Sequence, residues 1–144
     1  MKIAEVMTRD VRTIGPDRSV RDAARIMDEM NVGVLPVCDG RRLLGMLTDR
    51  DIAIRAVAQG RGPDTKVREA MTPEVRYCFE DEDLDAVVRN MGENKVRRLS
   101  VLGRDERLVG IVSLGDVALY GDSDQTDAVA AAVSEPGGPH TQAG

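Results

Sequence analysis

The chain repeats itself. Leu43–Ala53 reads LLGMLTDRDIA and Leu108–Ala118 reads LVGIVSLGDVA. Four of these eleven positions are identical and five more are swaps of like for like, including Thr48 for Ser113. Met7-Thr8 returns as Met71-Thr72, a shift of 64, and Gly45 returns as Gly110, a shift of 65, so the second copy holds one extra residue. A long repeat of fixed order means two copies of one supersecondary unit rather than an array of short ones. Two such copies are expected to pack about a pseudo-two-fold axis, with function sought in the cleft between them.

Composition narrows the classes of function. The 144 residues are 42% hydrophobic, enough for a globular core. A net charge of −5 argues against nucleic-acid binding, which needs a basic footprint. One Phe, two Tyr and no Trp leave little for stacking on bases. The N-terminus MKIAEVMTRD lacks the apolar stretch of a signal peptide, and the longest apolar run, Ala128–Val133, is far short of a bilayer span. The expectation is a soluble cytoplasmic protein with no membrane partner. Cys38 takes the place of Leu102 and Cys78 that of Ile14, which reads as two buried small hydrophobes.

Each copy has the same order of elements. A lead-in (Ile3–Met7, Val67–Met71) precedes a short strand near Val11–Ile14 or Val75–Cys78. An amphipathic helix follows. In copy one it spans about Ser19–Asn31, capped by Ser19 with Asp22, with Val20, Ala23, Ala24, Met27 and Met30 on one face. Leu84, Val87, Val88 and Met91 repeat that stripe. Strands Val34–Cys38 and Leu43–Thr48 flank the turn signal Asp39-Gly40, and their counterparts are Arg98–Leu102 and Leu108–Ser113 around the longer loop Gly103–Arg107. A second helix starts at about Asp49, with Ile52, Ala53, Ala56 and Val57 inward; its partner after Ser113 is shorter. Gln59–Lys66 is polar, with Gly and Pro, and reads as the linker. The fold class is α+β: two pseudo-symmetric β-α-β-β-α repeats at 1–60 and 67–121, then 122–144 as a short helix (Gln125–Ser134) and a mobile tail.

Catalytic signatures are missing. There is no Walker loop, G-x-G-x-x-G, H-E-x-x-H or C-x-x-C, and two cysteines with the single His140 do not make a zinc centre. The expectation is no catalysis and no metal. The positive signal is Gly-hydrophobic-hydrophobic-Thr/Ser-x-x-Asp, met at Gly45–Asp51 and Gly110–Asp116, each where a strand hands over to a helix. A hydroxyl and free N–H groups at a helix start suit a phosphate, and a carboxylate one turn in suits the two hydroxyls of a ribose. The same residues also form a capping-box pattern that satisfies a helix end with no ligand. Both readings stand on these residues alone.

The ordered set of motifs resembles a tandem pair of CBS domains, the Bateman module, and more closely the small stand-alone bacterial proteins made of little else. The residues that carry this are Val6-Met7-Thr8, Pro16-Asp17, Ala23-Ala24 with Met27, Leu35-Pro36-Val37 and Gly45–Asp51. In copy two they are Ala70–Pro73, Val96–Val101 and Gly110–Asp116. The resemblance covers about Met1–Tyr120. It implies a cleft holding up to two adenine-containing ligands: AMP, ADP, ATP, NAD(H) or S-adenosylmethionine. By that resemblance Asp51 and Asp116 hold ribose, and Thr48, Ser113, Arg97 and Arg98 hold phosphate. The base lies near Thr13, Ile14, Val34, Leu35 and Pro36 in one copy, and near Tyr77, Cys78, Leu99 and Ser100 in the other. Lys95, Arg97 and Arg98 give copy two a positive cluster where copy one has Asn31, Gly33 and Val34. Neighbours on a strand point to opposite faces, so at most one of Arg97 and Arg98 faces the ligand. Ser100 departs from the proline found at Pro36.

The leading function is a regulatory module that senses an adenosine compound and signals to an effector protein. The alternative is a ligand-free dimeric protein, structural or stress-related, whose motifs are caps. A homodimer is expected in either case, because apolar helix faces and the short last helix, with Val117 and Leu119, need cover.

Overall fold

The structure is a computed structural model in which residues 1–73 and 75–120 are described. It is a mixed α and β fold of two repeats. The elements in order are α1 (Val20–Met30), β1 (Val34–Asp39), β2 (Arg42–Thr48), α2 (Asp49–Asp51, running on as a π-helix over Ile52–Val57), α3 (Val67–Ala70), β3 (Tyr77–Phe79), α4 (Leu84–Glu93), β4 (Arg98–Leu102), β5 (Leu108–Ser113) and α5 (Leu114–Tyr120). The segment Gln125–Ser134, the rest of 122–144 and His140 lie outside the described residues.

These elements form two compact units, Arg12–Val75 and a second made of Met1–Val11 with the described residues from Arg76 on. The sequence repeats and the packed units are therefore different partitions of the chain. Each lead-in is built into the unit that carries the other repeat's hairpin. Ile3, fully buried, joins the core of Cys78, Leu84, Val87, Val88, Met91, Leu99, Val101, Val112 and Val117. Val67 and Ala70, equally buried, join Ile14, Val20, Ala23, Leu35, Val37 and Leu47.

The backbone fixes both lead-ins in the same way. Ile3 N donates to Glu82 O at 3.0 Å, and Val67 N donates to Arg18 O at 2.8 Å. Lys2 N donates to the Glu5 carboxylate at 2.7 Å, and Lys66 N to that of Glu69 at 3.2 Å. Each lead-in ends by pairing with the second strand of the hairpin in its unit. Thr8 N and Ile111 O pair at 2.8 Å, with Ile111 N to Thr8 O at 3.0 Å; Thr72 and Met46 exchange bonds of 2.8 and 3.0 Å.

In the Arg12–Val75 unit, β1 and β2 pair antiparallel, with Val34 opposite Thr48. The expected first strand is reduced to one residue, Ile14, which bridges Val37 in parallel. The turn falls one residue later than Asp39-Gly40: Asp39 pairs with Arg42, and Gly40, at φ 63°, forms the tip with Arg41. In the other unit β3 runs parallel to β4 and β4 antiparallel to β5. There the strand expected at Val75–Cys78 is shifted to Tyr77–Phe79, and the hairpin has the expected ends.

The helices bring three corrections. Ser19 Oγ accepts from Asp22 N at 3.1 Å, so α1 has its expected cap. Its buried face is Val20, Ala23, Ile26 and Met27. Ala24 is exposed because Ile26 completes the stripe on the other side, and Met30, 44% exposed, sits on the last turn before the left-handed cap at Asn31. The stripe Leu84, Val87, Val88, Met91 is buried throughout. After α2 only Ala56 is buried and Ile52 partly so; Ala53 is exposed and Val57 is 69% exposed. Ala58 N donates to Ala53 O, an i→i+5 bond that widens the turn and rotates Val57 outward relative to α-helical spacing. Val117 is fully buried within its own unit and needs no cover from a second copy.

Both cysteines are free and buried. Burial pushes the Cys38 thiol up to about 11 and, with the Glu82 charge adding to it, that of Cys78 up to about 12. Both are protonated at neutral pH and behave as the small hydrophobes expected of them.

Candidate functional site

The repeated motif sits at one strand-to-helix handover in each unit. β2 ends at Thr48 and α2 starts at Asp49; β5 ends at Ser113 and α5 starts at Leu114. The turn is closed the same way in both. Asp49 N donates to Gly33 O at 3.0 Å, and Leu114 N donates to Arg97 O at 2.9 Å. This brings the residues just before the central strand beside the helix start.

The motif residues cap each other. Asp51 N donates to Thr48 Oγ1 at 3.0 Å, and Thr48 N to Asp51 Oδ2 at 2.9 Å. Asp116 N donates to Ser113 Oγ at 3.2 Å, and Ser113 N to Asp116 Oδ2 at 2.9 Å. These are reciprocal capping boxes, as the motif's second reading requires. They do not exhaust the carboxylates. An ionised carboxylate accepts at about four lone-pair positions, and each cap takes one on Oδ2. Asp51 Oδ1 lies 4.0 Å from Arg55 Nε, and the Asp51 side chain is 14% exposed.

The other predicted residues divide by burial. Leu35, Leu99 and Cys78 are core side chains, so they offer a ligand only backbone groups. Pro36 and Ile14 are buried as well, and Ile14 N donates to Pro36 O at 3.0 Å. Thr13 and Val34 are half-buried. Ser100 is 2% exposed and paired between Tyr77 and Ile111. Tyr77 is 48% exposed, its ring edge-on to Phe79 at 5.6 Å.

Arg97 lies just before β4, and Arg98 is its first residue. Both guanidiniums are exposed, and neither has a side-chain partner among the described residues. Lys95 occupies a left-handed turn at φ 54°, the counterpart of Asn31 at 53°. Two surface hollows lie elsewhere in the Arg12–Val75 unit. One is lined by Ile54, Arg55, Gln59, Arg61 and Glu69; the other includes Pro16, Asp17, Arg18 and Arg68. Neither is lined by a predicted site residue. Among the described residues no group of three His, Cys, Asp or Glu side chains is placed to hold a metal ion, and no helix is long and apolar enough to cross a membrane.

Two units that repeat a strand-to-helix handover with Thr/Ser and Asp define a paired-repeat protein of the CBS type. The CBS domain family matches the chain at residues 3–57 and 67–122, and the chain belongs to that family. Among its relatives, the CBS domain-containing protein YhcV of Bacillus subtilis is 39% identical over 124 residues, 86% of this chain and 88% of that one. Hypoxic Response Protein I, solved with two coordinated zinc ions, superposes with a TM-score of 0.75 at 35% identity, covering 85% of this chain and all of that one. CBSX2, solved with AMP, gives a TM-score of 0.72 at 27% identity over 82% of this chain and 93% of that one. The CBS pair of protein MJ0100, solved with 5′-methylthioadenosine and S-adenosyl-L-methionine, gives 0.71 at 29% identity over 83% and 94%. Membership in this family supports a regulatory ligand-binding module.

Proposed function

We propose that this chain senses an adenosine compound at its two handovers and passes the occupancy to an effector protein. One observation carries the reading: Asp51 and Asp116 each commit a single oxygen to the helix cap, beside a Thr or Ser hydroxyl in the same turn. The remaining acceptors suit the two hydroxyls of a ribose. AMP in CBSX2, and methylthioadenosine with S-adenosylmethionine in the MJ0100 pair, supply the ligand class. Arg97 and Arg98, exposed and without ion-pair partners among the described residues, supply charge for a phosphate.

Titration calorimetry is the test. At the tighter site AMP binds better than adenosine, and Arg98→Ala weakens AMP by about 1.5–3 kcal/mol, the worth of one charge-assisted hydrogen bond. Asp51→Ala and Asp116→Ala each weaken one site. Equal affinity for AMP and adenosine, or an Arg98→Ala protein that binds AMP as wild type does, removes the phosphate assignment.

The complete capping boxes favour a second reading, a ligand-free structural protein. A thermal-shift screen separates the two, since a compound bound only by the folded state raises Tm. If no adenine compound does so, the capping reading holds.

We also propose a homodimer. Ile54, 48% exposed, and Val57, 69% exposed, are large apolar residues three positions apart on the π-helical turn, surface that a second copy would cover. Light scattering should give twice the chain mass at micromolar concentration, a range in which weak association is measurable. A stable monomer there counts against it.

A further inference from the structure

The two handovers share a frame and differ in charge. We infer that the Asp49 carboxylate, seated against Gly33, makes the Arg12–Val75 handover reject phosphate and accept an adenosine compound that is uncharged or cationic. This rests on the adenosine-binding reading above and assigns a ligand class to one of its sites.

A Cβ at Gly33 would lie 3.1 Å from Asp49 Oδ2 and 3.5 Å from Oδ1. The carboxylate therefore lies beside the backbone of Gly33, where a Cβ would have to push it aside by a few tenths of an ångström. It is held there locally. Asp49 N donates to Gly33 O at 3.0 Å, and Asp49 Oδ1 accepts from Arg50 N at 2.9 Å. Asp51 places a second carboxylate in the same turn, with Oδ2 on Thr48 N. A phosphate reaching the Thr48 hydroxyl would thus meet two negative groups. The partial positive charge of the helix start, which elsewhere draws an anion, already faces these two.

Of the two arginines that follow Thr48 in this turn, Arg55 has partners of its own. Arg55 is committed to the Met71 carbonyl at 2.7 Å and lies 4.0 Å from Asp51. Arg50 is exposed, and its backbone N–H is already given to the Asp49 carboxylate. In the other unit both members of the device are replaced. Arg97 stands at the place of Gly33 and Leu114 at that of Asp49, with Arg98 for Val34. The chain-closing hydrogen bond is kept while its surroundings change from acidic to basic. The scaffold is the same, and the residue after the hydroxyl is acidic in one unit and apolar in the other.

The experiment is calorimetry on the full chain carrying Asp116→Ala, which weakens the other handover so that the tighter binding read is that of the Arg12–Val75 handover, with adenosine and AMP as probes. Adenosine should bind about tenfold more tightly than AMP, the size of one like-charge repulsion at a partly solvated separation of several ångströms. Adding Asp49→Asn, which keeps the shape and removes the charge, should close that gap. Asp49→Leu, which copies Leu114, should close it too. The inference is overturned if AMP binds as tightly as adenosine to the Asp116→Ala protein, or if Asp49→Asn leaves the ratio unchanged. It also falls if wild type binds adenosine and the Asp116→Ala protein does not, although adenosine sensing then survives at the other handover. A wild-type chain that binds neither probe overturns the adenosine reading itself, and this inference with it.

Discussion

Gly45→Ala and Gly110→Ala should each lower the stability of the chain by about 2–3 kcal/mol, although each adds only a methyl group. A Cβ at Gly45 would lie 2.5 Å from Thr72 O and 3.1 Å from Met71 Sδ; one at Gly110 would lie 2.7 Å from Thr8 O and 2.8 Å from Met7 Sδ. The methionine sulfur is the far end of a flexible side chain and can give way. The carbonyl cannot, because it accepts one bond of a reciprocal pair: Thr72 exchanges bonds with Met46, and Thr8 with Ile111. Moving either carbonyl breaks the bridge that fixes the lead-in. Gly62→Ala is the control, since nothing lies within 4 Å of its Cβ position and its φ is not positive; it should be neutral or slightly stabilising. Urea unfolding followed by far-UV circular dichroism measures all three. If Gly45→Ala proves as stable as Gly62→Ala, the close approach has been misjudged.

The same contact shows what a repeat reveals and what it hides. Met7-Thr8, Met71-Thr72, Gly45 and Gly110 stand out in the sequence because each occurs twice. That duplication also makes their pairing ambiguous, for Met7 would fit against Gly45 as well as against Gly110. Only the path of the chain decides, and it sends each lead-in to the other repeat's hairpin. The hairpins and the buried stripe of α4 were legible because local pattern and packing agree there. The burial after Asp51 was not, because the π-helical turn changes the spacing on which the pattern depends. At the handovers, Thr48, Asp51, Ser113 and Asp116 were legible as residues, and their hydrogen bonds fit the cap. The contact between Asp49 and Gly33 was not: sixteen positions apart, it depends on the backbone bond that closes the turn.

The largest effect should come from the third residue of the chain. Ile3→Ala is expected to cost about 2–5 kcal/mol, the range for truncating a fully enclosed aliphatic side chain. Position alone suggests otherwise, since the first residues of a domain usually tolerate change. Here Ile3 has no exposed surface and packs in the core formed by α4, β3, β4 and β5. Its backbone is tied at both sides: Ile3 N to Glu82 O and Ala4 N to Glu80 O, both at 3.0 Å. The lost methyl groups leave a cavity that neighbours fixed in strands can fill only in part. Ile54, 48% exposed, is the same residue type in the other unit, and Ile54→Ala should change monomer stability by less than about 0.5 kcal/mol. Hydrogen exchange locates the damage. Amides of β4 and β5 should lose protection in the Ile3→Ala protein before those of β1 and β2, because Ile3 belongs to the core of the former. Loss of protection first in β1 and β2 would assign the lead-in to its own repeat and contradict the exchange seen in the fold.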